Sequence, residues 1–369
     1  MKLLLTGITG LVGASFVTAT LRNRDDIRIV AVCRSGRGQT AQERVNQVIE
    51  EQCAFDGTPE LAGKMLERIE VISGDVKNFP VEEIVRKGPY DVFFHCAADV
   101  NLGKDPEGKT YATNLEGTKN ALALARLLKV KALHYVSTAY VAGKTNGVVL
   151  EGSLPATDWV NSYERSKFEA EKLVQQCGIP YTIYRPSIIV GRLSDGLIRK
   201  PLAFYRILEF LGSVKRHHCI RNHIPQNAPI KLSLRLESEK SDKIYFVPID
   251  YVQKAISTIF TLPVENKCYH ITGESPVSTD DINTAVSAVL QAEGLQVLDH
   301  VENQTKEEKM VQKMIEDLMP YFASQITFDN TQVKAVLGAE ALAWKLDIDF
   351  LKKMARSYYR QTVPGLVAE

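Results

Sequence analysis

Short apolar runs alternating with helix-like stretches constrain this 369-residue chain more than any other feature. The runs are LLLTG (3–7), IRIVAVC (27–33), IEVISGD (69–75), YDVFFHC (90–96), ALHYVST (132–138) and YTIYRPS (181–187). Several are apolar throughout instead of alternating, as strands of a parallel sheet covered on both faces must be. Helical periodicity fills Leu11 to Arg22, Thr40 to Gln52, Asn114 to Leu128 and Asn161 to Gln176. This rhythm predicts an α/β fold with a doubly wound parallel sheet. After about residue 190 the rhythm stops. Residues 195–245 mix helix-like and charged stretches, YFVPIDYVQKAISTIF resumes a strand and helix, and KCYHITG (267–273) adds a strand. The tail from 278 to 360 reads as mainly helical. The expected organisation is a sheet domain over 1–190, with 245–275 returning to it. Residues 191–244 and 276–369 form a smaller, mainly helical lobe at the carboxyl edge of the sheet, where ligands of such folds lie.

The first strand runs into TGITGLVG, with glycines spaced G-x2-G-x2-G before an apolar helix. At this junction Gly7 permits a tight turn and Gly10 allows close approach of a pyrophosphate. Gly13 lets helix and strand pack together. The helix amino terminus adds unpaired N–H donors and the positive end of its dipole. With Thr9, Leu11 and Val12 these glycines make up the expected phosphate cradle of a dinucleotide. The end of the second strand should choose between ribose forms, and there the chain has Arg34, with Arg37 and Arg44 nearby. Without the glycine turn they would be read as a solvated cluster. Behind it, a guanidinium suits a 2′-phosphate, so the expected cofactor is NADPH. Asp75 and Val76, after the third strand, are placed for the adenine. Ala97 and Ala98, after the fourth, are small enough for a cofactor to pass close by.

In NSYERSK, Tyr163 and Lys167 stand four apart, on one face of a helix. An ammonium beside a phenol, with a positive nicotinamide, favours the phenolate and should lower a pKa that is ordinarily near 10. Lys167 can also hold the nicotinamide ribose. Upstream, a strand ends in Ser137-Thr138, whose hydroxyl could share developing negative charge on a substrate oxygen.

TGITGLVG, GDV, CAADV, NLEGT, VSTAYVAG, YERSK and YRPSIIVG follow one another at intervals that resemble the extended short-chain dehydrogenase/reductase superfamily, over roughly residues 1–190. The resemblance implies a Rossmann-type sheet. It gives Thr138 the role of the catalytic hydroxyl, Tyr163 that of the acid and Lys167 that of the lysine. It implies that Asn114, in NLEGT, positions the lysine through water. Pro186, Ser187 and Ile188 match the segment facing the nicotinamide carboxamide. VSTAYVAG, YRPSIIVGRLSDG, YFVPIDYVQKAI, CYHITGESPVS and FDNTQVKAVLG look like the thioester reductases. That group covers terminal reductase domains of nonribosomal peptide and polyketide synthases, carboxylic acid reductases and fatty acyl-CoA reductases. It implies NADPH-dependent reduction of an acyl thioester, on a carrier protein or on coenzyme A, to an aldehyde or onward to the primary alcohol. With no carrier-protein sequence ahead of Met1, a carrier with its phosphopantetheine arm would be met in trans. The alternatives are an extended reductase or epimerase for a sugar nucleotide or hydroxysteroid, and a non-catalytic NADPH-sensing protein. The second has no need of the Thr138, Tyr163 and Lys167 set.

Composition narrows the partners. The 45 basic and 44 acidic side chains give a net charge of +1, with no global attraction to nucleic acid. No apolar run reaches the length of a membrane span, and glycines interrupt the opening run that might suggest a secretion signal. Six scattered cysteines without a CxxC pair fit reduced thiols of a cytoplasmic protein. Asn303-Gln304-Thr305 fits a glycosylation triplet by chance. The most basic stretch, VKRHHCIRNH (214–223), could meet the phosphate of a phosphopantetheine arm or an acidic carrier protein, but reads first as a solvated loop; its histidines and Cys219 make a poor zinc set, and no metal is expected.

Overall fold

The computed structural model describes residues 1–36, 38–155, 158–239 and 242–367, so Arg37 lies outside the described residues. Seven strands form one parallel sheet: β1 (Lys2–Thr6), β2 (Arg28–Cys33), β3 (Ile69–Ser73), β4 (Val92–His95), β5 (Ala132–Val136), β6 (Tyr181–Pro186) and β7 (Lys267–Ile271). Their spatial order is β7-β6-β5-β4-β1-β2-β3. The order reverses beside β1, and such a switch opens a crevice at the carboxyl ends of the strands.

Burial on both faces explains the unbroken apolar runs. Leu3, Leu5, Ile29, Ala31 and Phe94 join one core, while Leu4, Val30, Val32 and Phe93 join the core on the opposite face. The crossovers include α1 (Leu11–Asn23), α2 (Ala41–Phe55), α3 (Lys109–Leu127) and α4 (Ser162–Gln175). Phe16 of α1 stacks on Phe94 of β4 with ring centroids 3.9 Å apart. Thr40 and Glu43 start α2 with a reciprocal capping box. Asn161 caps α4 by accepting from the Glu164 N–H at 3.0 Å. The third helix begins at Lys109, a turn before the expected Asn114, because Gly108 enters the left-handed region (φ +64°) and turns the chain into it.

Beyond β6 the structure departs from the sequence reading. VKRHHCIRNH is mostly the end of a helix, α5 (Tyr205–Arg221), and not a loop. Ile207, Leu211, Lys215 and Cys219, spaced by four, form its buried face, while Arg216, His217 and Arg221 point outward. The Lys215 ammonium donates to the Leu290 carbonyl at 2.5 Å. The tail is not only helical either. Ala292–Leu298 pairs in parallel with Ile230–Glu237, whose Ile230, Leu232 and Leu234 are buried at period two. Ile326–Phe328 pairs in parallel with Gly147–Val149. Strand β7 joins the main sheet beside β6 after the helix α6 (Ile249–Ile259). No helix among the described residues is long and apolar enough to cross a membrane.

Candidate active site

A cavity of about 670 Å³ opens at the carboxyl ends of the strands. Its first wall is the turn after β1. Gly7 has φ +85°, and a Cβ there would lie 2.6 Å from the backbone of Cys96 and Ala97. A Cβ on Gly13 would lie 2.2 Å from the Gly7 carbonyl oxygen, so helix and turn touch backbone to backbone. Gly7, Thr9, Gly10, Leu11 and Val12 line the cavity, whereas Gly13 packs behind them. No side chain caps α1, and its first turn carries no acid. The Gly13 N–H is taken by the Cys96 sulfur, which leaves the N–H groups ahead of it for an anion.

Arg34 and Arg44 stand at the adjoining end, with Asp75 and Val76. The Arg44 guanidinium donates to the Arg34 carbonyl, and Arg34 approaches the Asp75 carboxylate at 3.5 Å. Asp75 also accepts from the Lys77 N–H at 2.9 Å. Ala97 and Ala98 line the middle of the cavity, as do Pro186, Ser187 and Ile188 opposite. The hydroxyls of Ser137 and Ser187 are buried on this wall without a protein partner. Buried hydroxyls are seldom left unpaired, so a polar ligand is what they fit. Together with the uncapped helix end and the close glycine turn, they suit a dinucleotide.

At the far end Thr138, Tyr163 and Lys167 come together on the wall. The Thr138 hydroxyl donates to the Pro186 carbonyl at 3.3 Å and is a hydrogen-bond partner of the Tyr163 phenol. The Lys167 ammonium donates to the Tyr135 hydroxyl at 2.6 Å and to the Val136 carbonyl at 2.7 Å. Burial carries Lys167 down to about 7, opposed by nearby Cys96 and Glu171. Burial raises the Tyr163 phenol, with Glu164 adding to the rise and Thr138 opposing it. The lowering expected from a neighbouring ammonium and a positive nicotinamide is not what burial alone gives this phenol, for desolvation is its largest cause. A phenol that keeps its proton is nonetheless the form that can donate one.

Asn114 is not on the cavity wall. Its carbonyl oxygen accepts from the Asp99 N–H at 2.7 Å, and its amide donates to the Asp99 carbonyl (3.0 Å) and the Ser166 hydroxyl (2.9 Å). It ties the loop after β4 to α4 and has no hydrogen bond to Lys167 among the described contacts.

Sequence reasoning missed several wall residues. Tyr321 arrives from the tail, and its hydroxyl meets Asn161 at 2.9 Å and Glu164. Its ring meets Tyr140 edge-on, centroids 4.8 Å apart. Leu102, Leu202 and Ala203 make this end apolar. Their sequence neighbourhoods carry no motif, and only the fold brings them here. Among the described residues no group of His, Cys, Asp or Glu is arranged to hold a metal, and all six cysteines are free thiols.

The NAD-binding family described as "Male sterility protein" matches residues 5–256. The chain is 24% identical over 306 residues to the non-canonical nonribosomal peptide synthetase FrzA of Cladobotryum sp, covering 79% of this chain and 28% of FrzA. It is 27% identical over 223 residues to fatty acyl-CoA reductase 2 of Bos taurus, covering 51% and 43% of the two chains. The chain thus spans less than half the length of these curated relatives. The crystal structure of the terminal R domain from the myxalamid PKS-NRPS biosynthetic pathway superposes with a TM-score of 0.73 at 25% identity. That match covers 98% of this chain and 90% of the R domain.

Proposed function

The chain belongs to this NAD-binding family, and on that premise we propose that it is an NADPH-dependent reductase of acyl thioesters. The observation that carries the proposal is that Thr138, Tyr163 and Lys167 converge on the cavity that begins at the glycine turn. When bound there, NADPH supplies the hydride. The hydroxyls of Thr138 and Tyr163 hold the thioester carbonyl oxygen and share the negative charge that develops on it. Tyr163 gives its proton to that oxygen, and Lys167 supports the phenol. The thiohemiacetal then breaks its C–S bond, releasing aldehyde and thiol. The same residues can serve a second reduction to the primary alcohol.

NADPH is favoured over NADH by Arg34 and Arg44 at the ribose end, where no acid follows β2 directly. A pantetheine thioester is favoured as donor, because the relatives include a nonribosomal peptide synthetase and a fatty acyl-CoA reductase. Residues 1–190 with 245–275 hold the cofactor, and 191–244 with 276–369 close the acyl end. Leu202, Ala203 and Tyr321 in the wall support that division. Six free thiols suit a reducing cytoplasm.

The test is NADPH oxidation across a panel of acyl-CoA and acyl-carrier-protein thioesters, with the product identified. Aldehyde or alcohol formation at the expense of NADPH is expected. Turnover confined to sugar nucleotides or hydroxysteroids would overturn the proposal.

A further inference from the structure

We infer that Tyr135 is the residue that positions Lys167 by direct side-chain contact. The inference rests on the catalytic reading of Lys167 above. Among the described contacts Asn114 makes no hydrogen bond to Lys167: its amide nitrogen donates to Asp99 and Ser166, its side-chain oxygen accepts from the Asp99 N–H, and its backbone carbonyl accepts from the Thr118 hydroxyl. Ser166 in turn donates to the Tyr163 carbonyl at 2.7 Å. Asn114 therefore fixes backbone on two elements, and the direct side-chain contact to the ammonium comes from Tyr135.

Tyr135 holds that ammonium in two ways. Its hydroxyl accepts from Nζ at 2.6 Å, and its ring centroid lies 4.1 Å from the same nitrogen. An ammonium has three donors. Tyr135 and Val136 take two on the side of β5, which leaves the third for the cavity that Lys167 lines. The bond has a defined polarity. The Thr118 hydroxyl spends its proton on the Asn114 carbonyl at 2.8 Å and is the hydrogen-bond partner of Tyr135. An ammonium has no lone pair to offer, so in its contact with Lys167 the Tyr135 oxygen is the acceptor. Behind Thr118 stands neutral, buried His95, which meets Thr6 at 2.7 Å, directly before Gly7.

The groups facing Lys167 are Tyr163 and Glu171 on its own helix, His95 and Cys96 at the end of β4, and Tyr135 on β5. Of these, Tyr135 alone is hydrogen-bonded to Nζ through its side chain among the described contacts. Removing its hydroxyl strips an acceptor from the charged form, so the ammonium titrates at lower pH.

The experiment compares Tyr135→Phe, Lys167→Met and the double variant. Tyr135→Phe is expected to lower kcat about tenfold, to leave the Kd for NADPH within twofold, and to shift the pH profile of kcat. In the Lys167→Met background it should cost nothing further. An equal loss in both backgrounds, or an unchanged profile, would overturn the inference. A second readout needs no turnover. In protein carrying 13Cε-labelled lysine, the Lys167 resonance is identified by its loss in Lys167→Met. Its titration midpoint should move to lower pH in Tyr135→Phe, and an unmoved midpoint would also overturn the inference. A wild-type protein inert towards every thioester would instead sink the proposed function while leaving this midpoint measurable.

Discussion

The guanidinium of Arg199 donates to the Gly10 carbonyl at 3.0 Å, clasping the glycine turn from the segment between β6 and α5. It also donates to Gln52 at 2.7 Å, its side chain is 8% exposed, and its nearest carboxylate, Glu51, is 3.7 Å away. A buried cation so loosely paired, beside an uncapped helix end, favours a nearby anion. Arg199→Ala should weaken NADPH and NADH alike, by about 10-fold or more given the usual strength of charged hydrogen bonds. Cofactor fluorescence titrations would measure this, and Arg199→Lys should recover part of the loss.

Arg34 should behave differently. Its side chain is 65% exposed and meets Asp75 only at 3.5 Å, so it is free to turn towards a 2′-phosphate. Arg34→Ala should lower affinity for NADPH and leave that for NADH unchanged, narrowing the ratio by roughly 10-fold. An unchanged ratio of the two dissociation constants would remove Arg34 from cofactor selection.

Tyr163→Phe keeps the ring and deletes the proton donor. Turnover should fall by roughly 10²–10⁴, while NADPH still binds. Thr138→Ala should reduce kcat less, since the phenol remains. Wild-type rates in Tyr163→Phe would exclude the proposed proton transfer.

A structural prediction concerns Arg185 and Glu171, an ion pair at 2.5 Å with both side chains fully buried. The guanidinium also reaches the carbonyls of Glu151 and Ser153. Glu171→Ala strands that charge and should cost about 3–5 kcal/mol, read from urea unfolding. Adding Arg185→Met should restore part of the stability, because the uncompensated cation is then gone.

Burial raises the Glu164 carboxyl to about 7, despite hydrogen bonds from the Val160 N–H and Tyr321. Between about 4.5 and 7 the folded protein keeps a proton that the unfolded chain has lost, so this group's contribution to stability falls as pH rises. Glu164→Gln lacks that slope. Its stability relative to wild type should improve by about 3 kcal/mol at most between pH 5 and pH 8. A difference that stays constant across that range would place the carboxylate in a better-solvated setting.

The seven central strands were legible because burial on both faces leaves uninterrupted apolar runs, as in RIVAVC and VFFH. The glycine turn after β1 and the shared face of Tyr163 and Lys167 were legible because each needs a fixed local spacing. What escaped was contact made across long stretches of chain. Arg199 on Gly10, Tyr321 on Asn161 and Tyr135 under Lys167 join residues that no local pattern relates. The α5 helix was misread because its charged outward face dominates the string RHHCIR, while its buried positions include Lys215, whose stem packs like an apolar residue. The strand Ile230–Glu237 hid among charged neighbours for a similar reason: only alternate positions are buried.

Tyr321 reaches the flank of Tyr163 from beyond the final strand of the main sheet. During synthesis the seven strands of the main sheet can therefore be complete before the cavity at their ends has that wall. A nascent or clipped chain ending before that tyrosine would carry bound reductant beside an open, wet recess. Such fragments should hold cofactor yet handle acyl groups poorly, which makes the integrity of the tail a guard on when the chemistry can begin.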